Sequence, residues 1–200
     1  MTGAVGATAE SAQPALYVDD ARYARLWDLW NAARGAGAGA AGAVDAQGEV
    51  SRLLYREARM LDDGLHDQWL GMFAPDCLYW VPNRAEPADP RIESGVYLDD
   101  RRRMADRVAM LRTGHLHAQI PASRTRRMLS NIECWRADAG TIVARANLTL
   151  WEHRKAVTKP WPAFQIYEIV GDPAGGALIS TKIICLLERD APLGNYAFIL

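Results

Sequence analysis

His115 and His117 stand two residues apart, with only Leu116 between them. In a strand both imidazoles would share a face, and a nearby carboxylate could complete a metal site. No third ligand stands at an informative spacing, so the pair is read as polar residues at a helix-to-strand junction beside Gly114 and Pro121. The three cysteines, Cys77, Cys134 and Cys185, are far apart and each lies in an apolar setting. They form no Cys-x-x-Cys or Cys-x-His motif, so iron–sulfur and structural zinc chemistry is not expected in this chain. They read as small buried hydrophobes. A Gly-x-Ser-x-Gly elbow and a Gly-x-Gly-x-x-Gly phosphate loop are both missing.

General acid–base chemistry is harder to dismiss. A pocket between helices and a curved sheet could use one Asp with a His or Tyr. Asp76, Tyr55, His66 and Tyr79 are the candidates, though each also has an ordinary structural role. Two basic runs are present. Arg101-Arg102-Arg103 follows two aspartates, so local charge nearly cancels. Ser123-Arg124-Thr125-Arg126-Arg127 is more unusual, because in a strand Arg124 and Arg126 share one face and each could grip a carboxylate.

These residues must be positioned by a helical half followed by a strand half. Residues 1–15 show no periodicity. Helical spacing is expected over 17–32, with Leu16, Tyr23, Leu26, Trp27 and Trp30 near one face. A Gly/Ala tether follows at 34–43, so residues 1–43 form an appendage and 44–200 one domain. Within the domain, helices are expected at 45–62, stopped by Gly64, at 65–74, ended by Pro75, and at 99–113, opened by Asp99 and Asp100. Cys77 to Pro82 reads as a short strand, and 83–97 as a loop. From about 125 the period changes to two: strands at 125–137 and 141–150 join through Asp138-Ala139-Gly140, and a second pair covers 163–171 and 177–188. Helices first and strands second predict α+β, with the helices on one face of a curved antiparallel meander. The apolar segment Tyr196 to Leu200, with Phe198 at its centre, should dock on this domain or another chain.

The chain has 200 residues, net charge -1 and 50% hydrophobic residues. That fits one domain and argues against a nucleic-acid binder dependent on a basic field. No stretch resembles a membrane helix or signal peptide, so a cytoplasmic protein is expected.

Taken in order, several segments resemble the small (beta) subunit of Rieske non-heme iron aromatic-ring-hydroxylating dioxygenases. They are Glu57 through Gly64, Gln68-Trp69-Leu70, Phe73, Asp76 and Tyr79-Trp80-Val81-Pro82. Tyr97 through Arg101, Arg107-Val108, Pro121 through Arg126, Ser130-Asn131, Lys182-Ile183 and Leu200 continue the series. The resemblance covers about residues 50–200. It implies a cystatin-like, nuclear-transport-factor-like cone. It also implies a large (alpha) subunit partner that carries a Rieske 2Fe-2S cluster and mononuclear iron, commonly three large plus three small subunits. Electrons would come from NADH through a reductase. This chain would hold no cofactor and no catalytic residue. Trp80, Arg124, Arg126, Phe198 and Leu200 then become candidate subunit-interface residues. The competing readings are a stand-alone cone-fold dehydratase or isomerase using Asp76, and a module that binds a small ligand. A cone plugged by bulky apolar residues favours the subunit.

Overall fold

The computed structural model describes residues 18–35, 46–84, 86–87, 89–93, 95–138, 141–172, 174–188 and 197–200. Its elements are α1 (Asp20–Arg34), α2 (Gln47–Asp62), α3 (His66–Leu70), β1 (Phe73–Val81), β2 (Tyr97–Asp100) and α4 (Arg101–Arg112). A 3-10 turn (His117–Gln119) leads into β3 (Arg124–Asp138), β4 (Thr141–Arg154), β5 (Val157–Val170) and β6 (Leu178–Leu186). Residues 1–15 and most of the Gly/Ala tether lie outside the described residues, as does Leu16.

Local chemistry sets the helix ends. The Asp19 carboxylate accepts from the Arg22 N–H at 2.8 Å, and Asp100 accepts from the Arg103 N–H at 2.9 Å. Each satisfies a donor that the first helical turn leaves open. After α2, Gly64 adopts φ +70° while the Leu65 N–H returns to the Met60 carbonyl at 2.8 Å. A left-handed glycine just past the last turn is a standard helix stop.

Six strands form one sheet among the described residues, ordered β2-β1-β6-β5-β4-β3. The β3-β4-β5-β6 run is the expected antiparallel meander. β6 then lies parallel to β1, which joins the two halves of the chain through one long connection.

The boundaries differ from expectation in several places, and β4 and β5 extend to Arg154 and back to Val157 beyond the expected 141–150 and 163–171. The helix expected to run to residue 74 ends at Leu70, and Phe73 is already strand. Pro75 sits inside β1, where a register irregularity between Phe73 and Leu78 spares the ladder bond proline cannot donate. Asp99 belongs to β2, not to the third helix, and the expected 83–97 loop ends in that strand.

Helices cover both faces of the sheet, not one. Val50, Leu54, Leu61, Trp69, Met104 and Val108 from α2, α3 and α4 pack with Tyr79, Ile142, Ala144, Tyr167 and Ile184. The alternate residues of the same strands, Trp80, Val143, Ile166 and Ile183, pack with Leu26, Leu29, Trp30 and Ala33 of α1. Successive strand residues point to opposite faces, so α1 lies on the outer face. It is clamped there by Arg25 on Glu168 (2.8 Å) and by Arg22 on the Asp76 carbonyl (2.6 Å).

Candidate functional site

The cone interior lies between α2, α3, β1, β5 and β6. At its centre Lys182 donates to Glu57 Oε1 at 2.7 Å. Trp69 Nε1 donates to the same oxygen at 2.7 Å. The Tyr167 hydroxyl donates to Gln165 Oε1 at 2.7 Å, and the Lys182 ammonium stands 5.5 Å from the Tyr167 ring centroid. Tyr79 donates its hydroxyl to the Leu200 carbonyl at 2.7 Å. Glu57 and Lys182 are almost fully buried, at 1% and 0% exposure. Burial lowers the Lys182 pKa, opposed by the Glu57 charge, and raises both tyrosines well above their ordinary value, reinforced by Glu57.

This interior is closed to a substrate. The space among Trp69, Tyr79, Met104, Ile199 and Leu200 has no room for a water molecule. Side chains of α3, α4, β1 and β2 line it together with Ile199 and Leu200.

A cavity of about 660 Å³ opens instead at the rim, between the end of α2 and the start of β3. Its buried acids are already saturated. Asp62 accepts from Arg127 Nη1 at 2.5 Å, from the Arg127 N–H at 2.8 Å and from Thr125 at 2.9 Å. Arg127 also bonds the Ile199 carbonyl. Glu152 accepts from Ser123 at 2.5 Å and from Trp161 Nε1 at 3.1 Å. His66 lines the cavity, and burial together with the Arg127 charge lowers its pKa. The geometry allows binding at the rim, while proton transfer has no acid–base pair poised for it.

The sequence candidates separate in space. His66 lines the rim cavity, but Asp76 and Tyr55 do not. Asp76 is exposed on β1, and Tyr55 is 47% exposed on α2. The proposed Asp76 site is therefore not assembled. Of the interface candidates, Arg124 and Arg126 are exposed. Trp80, Phe198 and Leu200 are not at the surface. Trp80 meets Trp30 edge-on at 6.0 Å, Phe198 meets Trp161 edge-on at 5.7 Å, and Leu200 is fully buried. Apolar side chains of this chain already cover all three. His115 and His117 are exposed beside the 3-10 turn. Among the described residues no group of three His, Cys, Asp or Glu side chains is placed to hold a metal. The donor set of the described residues therefore does not fit the Rieske cluster or the mononuclear iron.

Sequence reasoning missed the Glu57–Lys182 pair. The signal was available: Lys182 interrupts the apolar run of β6, and Glu57 falls on the apolar face of α2 with Val50, Leu54 and Leu61.

Comparison with known proteins agrees with this geometry. The chain is 38% identical over 104 residues to the benzoate 1,2-dioxygenase subunit beta of Acinetobacter baylyi, covering 50% of this chain and 62% of that one. The match thus spans about three-fifths of that relative's length. The solved beta subunit of the benzoate 1,2-dioxygenase from Burkholderia mallei superposes with a TM-score of 0.60 at 26% identity, over 75% of this chain and 95% of that one. An NTF2-like protein with a cystatin-like fold from Novosphingobium aromaticivorans shares the fold, with a TM-score of 0.53 at 16% identity over 86% of this chain and 93% of that one. The profile of the ring hydroxylating beta subunit matches residues 56–189. With two thirds of its length inside that match and the cone to go with it, the chain belongs to the ring hydroxylating beta subunit family.

Proposed function

We propose that this chain is the non-catalytic beta subunit of a multicomponent aromatic-ring-hydroxylating oxygenase. It buttresses a large alpha subunit that holds the Rieske 2Fe-2S cluster and the mononuclear iron. Three large and three small subunits make up the complex, and it works in the cytoplasm. The names of the relatives point to an aromatic carboxylate of the benzoate type as the substrate of the whole enzyme. Residues 1–43 act as an appendage to the 44–200 domain, with α1 as its outer cap.

The observation that carries this reading is the filled cone. A stand-alone dehydratase or isomerase of this fold needs an open interior with a free acid or base. Here the interior carboxylate of Glu57 is buried and held by Lys182 and Trp69, and the space among Trp69, Tyr79 and Leu200 has no room for a water molecule.

Expression of the chain alone and with its large subunit tests the reading, with mass in solution and bound iron as readouts. A colourless, iron-free chain that joins a larger iron-containing assembly is the expected result. A stable homo-oligomer that ignores the large subunit would overturn it.

A further inference from the structure

The outer face of the sheet is covered only in part. α1 packs over Trp80, Val143, Ile166 and Ile183. The other end of that face, where β3 begins and β4 turns into β5, carries a different surface. Register pairs Arg124 with His153, Arg126 with Trp151, and Trp151 with Pro160. Arg126, Trp151 and Pro160 therefore form a row across three strands, and Arg124 and His153 lie in the next row on the same face. Trp151 is 41% exposed and Val157 65% exposed.

The charge there is one-sided. Arg126 donates to the carbonyls of Asp62 and Thr125, and Arg154 to the carbonyl of Pro121. Neither guanidinium meets a carboxylate, and Arg124 and Lys155 have no ion pair among the described residues. Elsewhere Arg25, Arg34, Arg107, Arg127 and Arg145 all sit on acids. The acids nearest the row do not neutralise it. Glu152 lines the same cavity and is held by Ser123 and Trp161, Asp62 is held by Arg127, and Asp63 is exposed across the cavity. This end is cationic in a chain whose net charge is -1.

The hairpin tip is also built at a cost. Arg154 pairs with Val157, leaving Lys155 and Ala156 as a two-residue loop with φ +49° and +62°. Such turns are ordinarily Asn-Gly, because L side chains resist the left-handed region. Lys and Ala at these positions give up stability and place a charge at the tip of the β4–β5 hairpin. Beside the row lies the 660 Å³ rim cavity, which Arg124, Arg126 and Trp151 help to line.

We propose that the β4–β5 hairpin end, with Arg124 and Arg126 of β3, is the surface that receives the large subunit, through an acidic segment of it with an apolar side chain seated on Trp151. The proposal rests on the subunit reading above. Unpaired cations around an exposed tryptophan and a cavity fit an acidic protein surface: the charges steer and orient, and the aromatic anchor supplies contact area. A polyanion would instead need a continuous basic stripe.

The test uses the complex of this chain with its large subunit, with Kd measured at low and high salt and mass in solution recorded. Arg124→Glu, Arg126→Glu and Lys155→Glu together are expected to weaken assembly by about a hundredfold or more, and Trp151→Ala by about tenfold. Wild-type binding should weaken as salt rises. Arg136→Glu, an exposed residue near the far end of β3, is the control and should change nothing. Circular dichroism and Tm confirm that each variant folds. Binding of the folded triple variant within about threefold of wild type would overturn the proposal. So would equal loss in the Arg136 control, loss of a homo-oligomer without loss of the complex, or charge-dependent capture of DNA in place of the large subunit. If the wild-type chain forms no complex at all, the subunit reading fails first and this one falls with it.

Discussion

Lys182 of β6 and Glu57 of α2 meet at 2.7 Å across 125 residues of sequence, and neither side chain reaches solvent. This pair is the only link between an interior lysine and an interior acid in the described core. A buried ion pair adds little net stability over apolar packing, but losing one partner leaves an uncompensated charge. Lys182→Met should therefore cost about 3–5 kcal/mol. Adding Glu57→Gln, which keeps an oxygen for Trp69 Nε1, should recover a large part. A urea-unfolding double-mutant cycle measures both, and equal stability of the single and double variants would contradict it.

The outer helix should be worth several kcal/mol through one residue. Trp30 is 1% exposed and lies between Trp80 and Phe164. Trp30→Ala should destabilise by about 3–5 kcal/mol, whereas Arg25→Ala, whose guanidinium is half exposed, should cost less than about 1 kcal/mol. Deleting residues 1–43 should expose the outer face and bring aggregation, read by light scattering. A monodisperse, equally stable truncation would show that α1 does not cap the domain.

Burial and the Arg127 charge hold the His66 pKa below its ordinary value of 6.5. The unfolded chain takes up the proton first, so this contribution is complete above about pH 6.5 and is lost as pH falls through the folded value. His66→Gln should flatten the fall of Tm between about pH 7 and 5. Parallel curves for the two proteins would count against it.

All three cysteines are buried thiols. Cys77 faces Met104, and burial pushes its pKa up to about 11. The reactive thiolate is thus scarce at neutral pH. Ellman's reagent should find almost no thiol in the native chain and all three after unfolding. Rapid native labelling would place a cysteine at the surface.

The meander was readable because β4 alternates cleanly: Ile142, Ala144, Ala146, Leu148 and Leu150 all point inward. The placement of α1 was harder to see. Its clue lay in the short apolar runs Cys77 to Val81 of β1 and Ile183 to Leu186 of β6, which mark strands buried on both faces. β2 was hidden because Asp99 and Asp100 look like a helix start. Asp99 tolerates its buried strand position only because Arg107 reaches back to it at 2.5 Å, eight residues later. Asp76 and Tyr55 were plausible by type, but their side chains lie outside the cavity that His66 lines. Arg124 and Arg126 share an exposed face as alternation requires, while Arg127, on the inner face opposite Leu150, went unnoticed as the buried partner of Asp62.

The parallel seam between β1 and β6 also sets an order of events during synthesis. β1 exposes its inner edge until residues 178–186 have emerged and inserted between it and β5. Before then, α2 closing over β1 would bury Glu57 with no cation to meet it. The charge that Lys182 brings is thus a late delivery, and it disfavours closure of the cone by a half-made chain.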